Sequence, residues 1–280
     1  MNKTLAIQAL QIRLIVGLIL VLACLSSAVA QRKEPGSEAE LKAISERGRL
    51  LWEYDTAAWY STDAVLALSP AEGTVKRYIC KKSADGWVVA YGRFNEKHDR
   101  FLIVYEAVQG STPKDFKVVK HDPPKEDSGF YLAAANALDT GIAAFSGATR
   151  RYNAAVLPAP KNQYWVYLTP AQTDLKVWPL GADVRYLISD DGLRIVETRQ
   201  LHKSIVEYTL PQGQTKMEAG YHTAVLDEIP EDTDVFLVLS CKPGMPEWIA
   251  TRTYIYRIDP DGKINYIMPA EKYFKQKEPE

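Results

Sequence analysis

The sequence predicts an α+β fold, with a predominantly antiparallel β-sheet built from hairpins, an N-terminal helix and one amphipathic helix packed on the sheet. Three observations support this prediction. Short runs alternate apolar and polar residues with a period of two, Asp-Gly turns join consecutive runs, and only two segments carry a helical stripe. Because the strands do not alternate regularly with helices, a parallel α/β sheet is not expected.

The stretch 183–210 predicts a hairpin followed by a third strand. Its turn contains Asp191-Gly192, because glycine accepts a positive φ and aspartate can bond its own backbone. Two further hairpins are predicted in the same way at residues 78–91 and 254–267. The unequal spacing of the three turns argues against a solenoid or a propeller, so the hairpins are expected to belong to one sheet system.

Two segments show helical periodicity. In the first, Ser37 and Glu40 have the spacing of a capping box, and the helix is expected to run to about Leu68. The second spans about residues 128–147, with Ser128 as its expected cap and Gly147 as its expected end. Its apolar stripe consists of Tyr131, Ala135, Leu138, Ile142 and Phe145.

Three other stretches carry weaker patterns. The segment 110–127 holds three prolines and many charges, which predicts a surface loop. The acidic stretch 227–234 is expected to be a solvated loop. The five apolar residues Val235–Leu239 that follow it predict a central strand buried on both faces.

The N-terminus has the features of a secretory signal peptide. Residues 1–30 are basic, contain an apolar core and end in Ala28-Val29-Ala30, which predicts cleavage after Ala30. The apolar core has about 12 residues, fewer than the roughly 18–20 that a membrane span needs. An uncleaved anchor and a lipoprotein acylated on Cys24 are the alternatives.

One domain is expected after the signal, over residues 31–268, followed by a polar tail at residues 269–280. No membrane span is expected once the signal is removed. The chain carries 34 basic and 35 acidic side chains, so nothing in its charge predicts a nucleic-acid partner. Export places the protein in the periplasm or outside the cell, where a disulfide is permitted.

Cys80 and Cys241 are the two cysteines beyond the signal. Both a disulfide between them and two buried thiols are compatible with the sequence, because spacing along the chain does not reveal proximity. They lack Cys-x-x-Cys spacing, so a redox pair or a zinc ribbon is not expected.

Local motifs for common reactions are absent from the sequence. It contains no glycine-rich phosphate loop, no H-E-x-x-H and no G-x-S-x-G. A site assembled from distant residues remains open.

Two histidines are the candidates for such a site. His202 and Ser204 are expected on one face of a strand, and His222 precedes the acidic stretch that begins at Asp227. If the two segments meet, His202, His222 and a carboxylate from the stretch 227–234 would bind zinc with one position open for water. The other chemistry is Ser204 activated by His222, with Asp227 or a neighbouring aspartate orienting the ring. A bonded, purely structural role for both histidines is the simpler interpretation.

A second candidate feature lies on the first helix. Asp55, Trp59 and Asp63 fall on one helical face, because they are spaced by four residues. They predict either a polar site beside an aromatic wall or, more simply, aspartates that bond loop amides or lie at the solvent margin.

The leading functional hypothesis is an exported protein, non-catalytic or attached to the cell envelope, that acts through a binding surface. Sixteen tyrosines and six tryptophans favour a protein, peptide or carbohydrate partner. The alternative is a metal-dependent or serine hydrolase that uses His202 and His222. No cofactor is expected apart from zinc under that alternative.

Overall fold

The computed structural model describes residues 34–146, 150–209, 218–241 and 244–276. The predicted export signal at residues 1–30, with Cys24, lies outside the described residues. So do the expected helix end at Gly147 and most of the loop before Gly220.

The described residues form four α-helices and fourteen β-strands, which confirms the predicted α+β class. The helices are α1 (Glu38–Leu66), α2 (Phe130–Ala144), α3 (Asp232–Ser240) and α4 (Ala270–Lys275). The strands are β1 (Arg77–Ser83), β2 (Gly86–Phe94), β3 (Phe101–Gln109), β4 (Phe116–Asp127), β5 (Tyr152–Pro158), β6 (Tyr164–Pro170), β7 (Val177–Gly181), β8 (Val184–Ile188), β9 (Ile195–Gln200), β10 (Ile205–Thr209), β11 (Gly220–Thr223), β12 (Glu247–Ala250), β13 (Tyr254–Ile258) and β14 (Ile264–Pro269).

The strands form three four-stranded sheets and one two-stranded sheet. Their orders are β1-β2-β3-β4, β5-β6-β8-β9, β11-β12-β13-β14 and β10-β7. Every pair is antiparallel except β11 and β12, which run parallel. The three predicted hairpins are confirmed as β1–β2, β8–β9 and β13–β14. They lie in three different sheets, so the expectation of one sheet system is wrong, because each hairpin pairs only with its own neighbouring strands.

Helix α1 begins as the capping box predicts. The Ser37 hydroxyl accepts a hydrogen bond from the Glu40 amide, and the Ser37 amide donates to the Glu40 carboxylate at 3.0 Å. The helix then lies against α3 at Gly48, where a Cβ atom would be 2.4 Å from the Asp232 carbonyl oxygen. Only glycine allows the two backbones to approach this closely.

Helix α2 confirms the second helical prediction but not its cap. The N-cap residue is Gly129, not Ser128. The Asp127 carboxylate takes the capping role, because its Oδ1 accepts hydrogen bonds from the amides of Gly129, Tyr131 and Leu132 at 2.9–3.1 Å. A carboxylate is a better acceptor than a hydroxyl at the positive end of a helix.

The predicted central strand at Val235–Leu239 is wrong, since these residues form most of α3. A five-residue apolar run fits a buried helix as well as a buried strand. The helix begins after Glu231, whose amide donates to the Asp234 carboxylate at 2.7 Å. Asp232 and Asp234 are fully buried, so the prediction of a solvated loop for this end of the acidic stretch is also wrong.

The segment 110–127 was expected to be a surface loop, but Phe116–Asp127 forms the edge strand β4. Most of its side chains are exposed or half-buried, so the strand lacks an apolar face in its sequence. Its prolines are tolerated because an edge strand leaves some amides without a ladder partner.

His202 does not lie on a strand, contrary to the prediction. Residues 201–204 connect β9 to β10, and the Leu201 amide donates to the Asp183 carbonyl at 3.0 Å. Gly181 has a φ of +106°, and a Cβ atom there would lie 2.1 Å from the Ser204 carbonyl oxygen. The connection that carries His202 is therefore packed against Gly181 at the end of β7 and hydrogen-bonded to Asp183, just before β8.

Cys80 and Cys241 do not form a disulfide with each other. Of the two alternatives, two buried thiols is the one observed. Residues Ala270–Lys275, within the segment expected to be a polar tail, form the short helix α4. In the part of the chain that the structure describes, no helix combines the length and apolar character needed to cross a membrane.

Candidate metal centre

Two histidines and an aspartate from distant parts of the chain meet in the interior. His202 comes from the β9–β10 connection, His222 from the middle of β11, and Asp234 from the first turn of α3. The histidines are each 7% exposed and Asp234 is 0% exposed. The two imidazole centroids lie 5.6 Å apart, so the pair that the sequence offered as candidates lies together.

One carboxylate oxygen of Asp234 lies between the two rings. Its Oδ1 is 3.0 Å from Nε2 of His202 and 3.3 Å from Nε2 of His222. The three atoms are buried, and none of them makes a well-directed hydrogen bond within the described residues. They lie within 4.8 Å of one another, so all three donors surround a single point.

The outer nitrogen of each imidazole is held by another buried carboxylate. Nδ1 of His202 is 2.9 Å from Oδ1 of Asp183, and Nδ1 of His222 is 2.7 Å from Oε1 of Glu247. The Tyr208 hydroxyl also donates to that Glu247 oxygen at 2.6 Å. In a neutral imidazole whose Nδ1–H donates a hydrogen bond to a carboxylate, the lone pair of Nε2 is available to a metal.

Local backbone geometry makes room for the outer carboxylates. Gly220 pairs with Glu247 in the parallel β11–β12 register. A Cβ atom at Gly220 would lie 1.8 Å from Oε2 of Glu247, so the carboxylate fills the space that any side chain would need. Asp183 directly precedes β8 and is 1% exposed, which fixes its carboxylate beside His202.

The cluster has a strongly negative field. Burial by itself lowers the pKa of His202, but Asp234 and Asp183 outweigh burial and raise that pKa to about 11. The pKa of His222 is likewise lowered by burial and raised by Asp234 and Glu247, to about 9. Burial raises the pKa of Asp234, yet the two imidazoles outweigh it and hold the pKa of that carboxyl well below its usual range. The site therefore favours positive charge at the two imidazoles or between them.

Asp227, the acid named with the histidines in the sequence, lies elsewhere. Its carboxylate accepts a hydrogen bond from the Arg199 guanidinium at 2.7 Å. The same guanidinium binds Glu231 at 2.6 Å. Asp227 is therefore neutralised by an arginine, and the acid that meets the histidines is Asp234.

A groove of about 280 Å³ opens beside the cluster. Both histidines line it, together with Lys203, Ser204 and Thr223, which are exposed. Ser204 makes no hydrogen bond with either imidazole in the described part of the chain. The structure thus gives Ser204 a place in the groove wall but no base to activate it.

Sequence reasoning missed three members of the cluster: Asp183, Tyr208 and Glu247. Glu247 begins the otherwise apolar strand Glu247–Ala250, and an acid in that setting is a sign of a buried polar role. Asp183 and Tyr208 carry no comparable sign, because an aspartate before a strand and a tyrosine within one are common without a functional role.

Two imidazoles and a carboxylate occur as a donor set on unrelated folds, so the set identifies a chemistry and not a family. Comparison with known proteins found no matching protein-family model, no matching curated protein and no matching solved structure.

Proposed function

We propose that the protein binds one divalent metal ion, zinc, through Nε2 of His202, Nε2 of His222 and Oδ1 of Asp234. We further propose that the protein is a hydrolase whose catalysis depends on this ion. Imidazole and carboxylate are ordinary zinc ligands. The two-histidine, one-carboxylate set also suits Fe²⁺, so iron belongs in any metal analysis.

The observation that carries the proposal is the convergence of three buried donor atoms, none of which makes a well-directed hydrogen bond within the described residues. Nearly all buried polar atoms are hydrogen-bonded, and an unsatisfied one costs about 1–3 kcal/mol. Ligands about 2.0–2.1 Å from zinc lie roughly 3.3 Å from each other. The Nε2–Oδ1 distances of 3.0 and 3.3 Å suit that spacing.

The outer carboxylates add support. Metal-binding histidines usually donate their second ring nitrogen to a carboxylate or a carbonyl, which fixes the ring and strengthens the ligand. Both histidines have such a partner here, in Asp183 and Glu247. Two protonated imidazoles paired with Asp234 would show the same orientation, so the metal content of the purified chain distinguishes a bound ion from bound protons.

Hydrolysis follows from the number of protein ligands. Structural zinc sites have four protein ligands, whereas catalytic sites have three and keep a position for water. The groove lined by His202 and His222 lies next to that position, although the three donor atoms themselves are buried. A zinc ion held by His202, His222 and Asp234 would lower the pKa of a bound water to about 7 and so would supply a hydroxide nucleophile at neutral pH.

The other hypotheses from the sequence rest on less. A serine mechanism lacks a hydrogen bond between Ser204 and either imidazole. The non-catalytic binding role and export from the cell remain predictions, because nothing in the described residues bears on them directly.

The test is the metal content and metal affinity of the purified full chain. We expect one zinc per chain by elemental mass spectrometry after dialysis against Zn²⁺, and competition with a chelator gives the dissociation constant. Asp234→Asn should weaken binding by at least about tenfold, because the anionic ligand is lost. His98→Asn is the matched control, since His98 is exposed in a turn with a φ of 56° that asparagine tolerates.

Hydrolysis is tested with 4-nitrophenyl acetate on the same samples. We expect turnover that requires zinc and is lost in Asp234→Asn but kept in His98→Asn. A folded wild-type chain that takes up neither zinc nor iron would refute the metal site. A chain that binds zinc with no turnover of any ester, peptide or phosphoester probe would refute the hydrolase.

A further inference from the structure

A second cavity, of about 80 Å³, is lined by residues of α1, β5–β7 and α3 and shares no lining residue with the groove of the metal centre. It contains Asp55 and Trp59, which the sequence placed on one helical face. Asp63, the third residue of that face, does not line the cavity and is exposed.

The Asp55 carboxylate in this cavity has no counter-charge. Within the described residues it makes neither a hydrogen bond nor an ion pair. Asp55 is half-buried, and this partial burial raises its pKa to about 6. Asp55 is the only ionisable residue in the cavity lining, whose other polar side chains, apart from Ser240, are Asn153, Thr169 and Gln172.

A second polar atom in the lining also lacks a partner. Oγ of Ser240, at the last residue of α3, is buried and makes no hydrogen bond in the part of the chain described. A serine in a helix usually bonds the carbonyl of the preceding turn or points to solvent. Asp55 and Ser240 thus give the cavity a charged acceptor and a neutral one.

Aromatic rings form part of the wall. Trp59, Trp178 and Phe236 line the cavity. Trp59 is 54% exposed and stands at the open side, whereas Trp178 is 8% exposed. Aromatic faces attract organic cations and also cover the alkyl groups that such cations carry.

We propose that this cavity binds a primary ammonium group on a short alkyl chain. The ammonium donates hydrogen bonds to the Asp55 carboxylate and to Oγ of Ser240, and its charge is attracted by the ring of Trp59. The alkyl chain packs on the apolar part of the wall. An ammonium group offers three N–H donors and no acceptor, which suits the Asp55 carboxylate and Oγ of Ser240.

The experiment is calorimetric titration of the full chain with n-butylamine at pH 7.5, where the amine is protonated. We expect saturable binding to one site. Asp55→Asn should weaken it at least about tenfold, because the charge that attracts the ammonium group is removed from a half-buried position. Ser240→Ala and Trp59→Ala should each weaken it by a smaller factor. Asp63→Asn, two helical turns away on the same helix, is the control and should bind like the wild type.

Three further probes define the ligand class. 1-Butanol should not bind, because it has the same chain without the charge. Tetramethylammonium should bind more weakly than n-butylamine, because it has no N–H donor. Absence of n-butylamine binding, equal affinity in folded Asp55→Asn, or stronger binding of methyl glucoside than of n-butylamine would each overturn the proposal.

Discussion

The buried carboxylates of this protein differ in what neutralises each of them. Asp232 binds two arginines and a tyrosine, and Asp227 binds Arg199. Asp234 meets only imidazole nitrogens among charged partners, and Asp55 meets no cation in the described residues. Asp232 and Asp227 are thus paired with arginines, whereas Asp183, Asp234 and Glu247 meet imidazoles in the metal centre and Asp55 lies in the small cavity. Acids whose pKa is shifted without an arginine partner are the residues to examine first for function.

The pKa of Asp55 gives a prediction with a definite sign. The folded protein holds this carboxyl at a pKa of about 6, above its ordinary value of 3.8. The folded state therefore binds the proton more tightly than the unfolded state does, and stability falls as the pH rises from 3.8 through 6. Asp55→Asn removes this loss. It should raise the free energy of unfolding by about 3 kcal/mol at pH 7.5 and by about 1 kcal/mol at pH 4.5.

Urea unfolding at the two pH values measures the effect, and Asp63→Asn is again the control. Tyr78 and Cys80 also lie near Asp55, but burial raises the pKa of both groups, so they stay neutral over this range. An equal effect of Asp55→Asn at the two pH values would show that the carboxyl titrates normally.

At the scale of elements, helix α3 shows where sequence patterns succeed and where they fail. The hairpins and the two longer helices have local patterns, such as the Asp191-Gly192 turn and the Ser37 cap, and were predicted correctly. Helix α3 has only nine residues, and its five-residue apolar run carries no distinguishing period. Edge strand β4 was missed because an edge strand that is mostly exposed has no apolar alternation to detect.

The candidate site was predicted in part for the same reason. His202 and His222 were identified by residue type, and the acidic stretch contained Asp234. Their meeting depends on three long-range arrangements that no local pattern encodes: the β9–β10 connection, the parallel β11–β12 pair and the position of α3. The outer carboxylates depend on the same arrangements, so they were found only in the structure.

The crossing of α1 and α3 should control the position of Asp234. A Cβ atom at Gly48 would lie 2.4 Å from the Asp232 carbonyl oxygen and 2.5 Å from Cβ of Val235. Gly48→Ala should therefore push α3 away, lower the free energy of unfolding by about 1–3 kcal/mol and weaken zinc binding. Glu46→Ala is the control, because Glu46 is an exposed residue of the same helix. Urea unfolding measures the free energy of unfolding, and chelator competition measures the zinc affinity. If Gly48→Ala changes neither quantity, α1 and α3 separate at no cost in stability or zinc affinity.

At the scale of the whole molecule, the metal centre collects residues from separate parts of the fold. Its ligands and their outer partners come from β10, β11, β12, α3 and the segments that flank β8 and β9. Helix α1 supports this assembly, because Leu51 packs in the largest apolar cluster and Ile44 packs in the cluster that contains α3. The ligand set therefore exists only when the fold is complete, and metal binding should be coupled to folding.

Thermal unfolding tests this coupling. An ion that binds only the folded state stabilises it by about 2.7 kcal/mol when its free concentration is 100 times its dissociation constant. For a chain of this size, that corresponds to a rise in Tm of about 5–10 °C, which EDTA should reverse. At the same zinc concentration Asp234→Asn should show at most about half of this rise, because its affinity is at least about tenfold lower, and His98→Asn should show the full rise. A rise of the same size in Asp234→Asn would place the stabilising ion outside this cluster, whereas a reduced rise in Asp234→Asn alone would tie zinc to the point where His202, His222 and Asp234 meet.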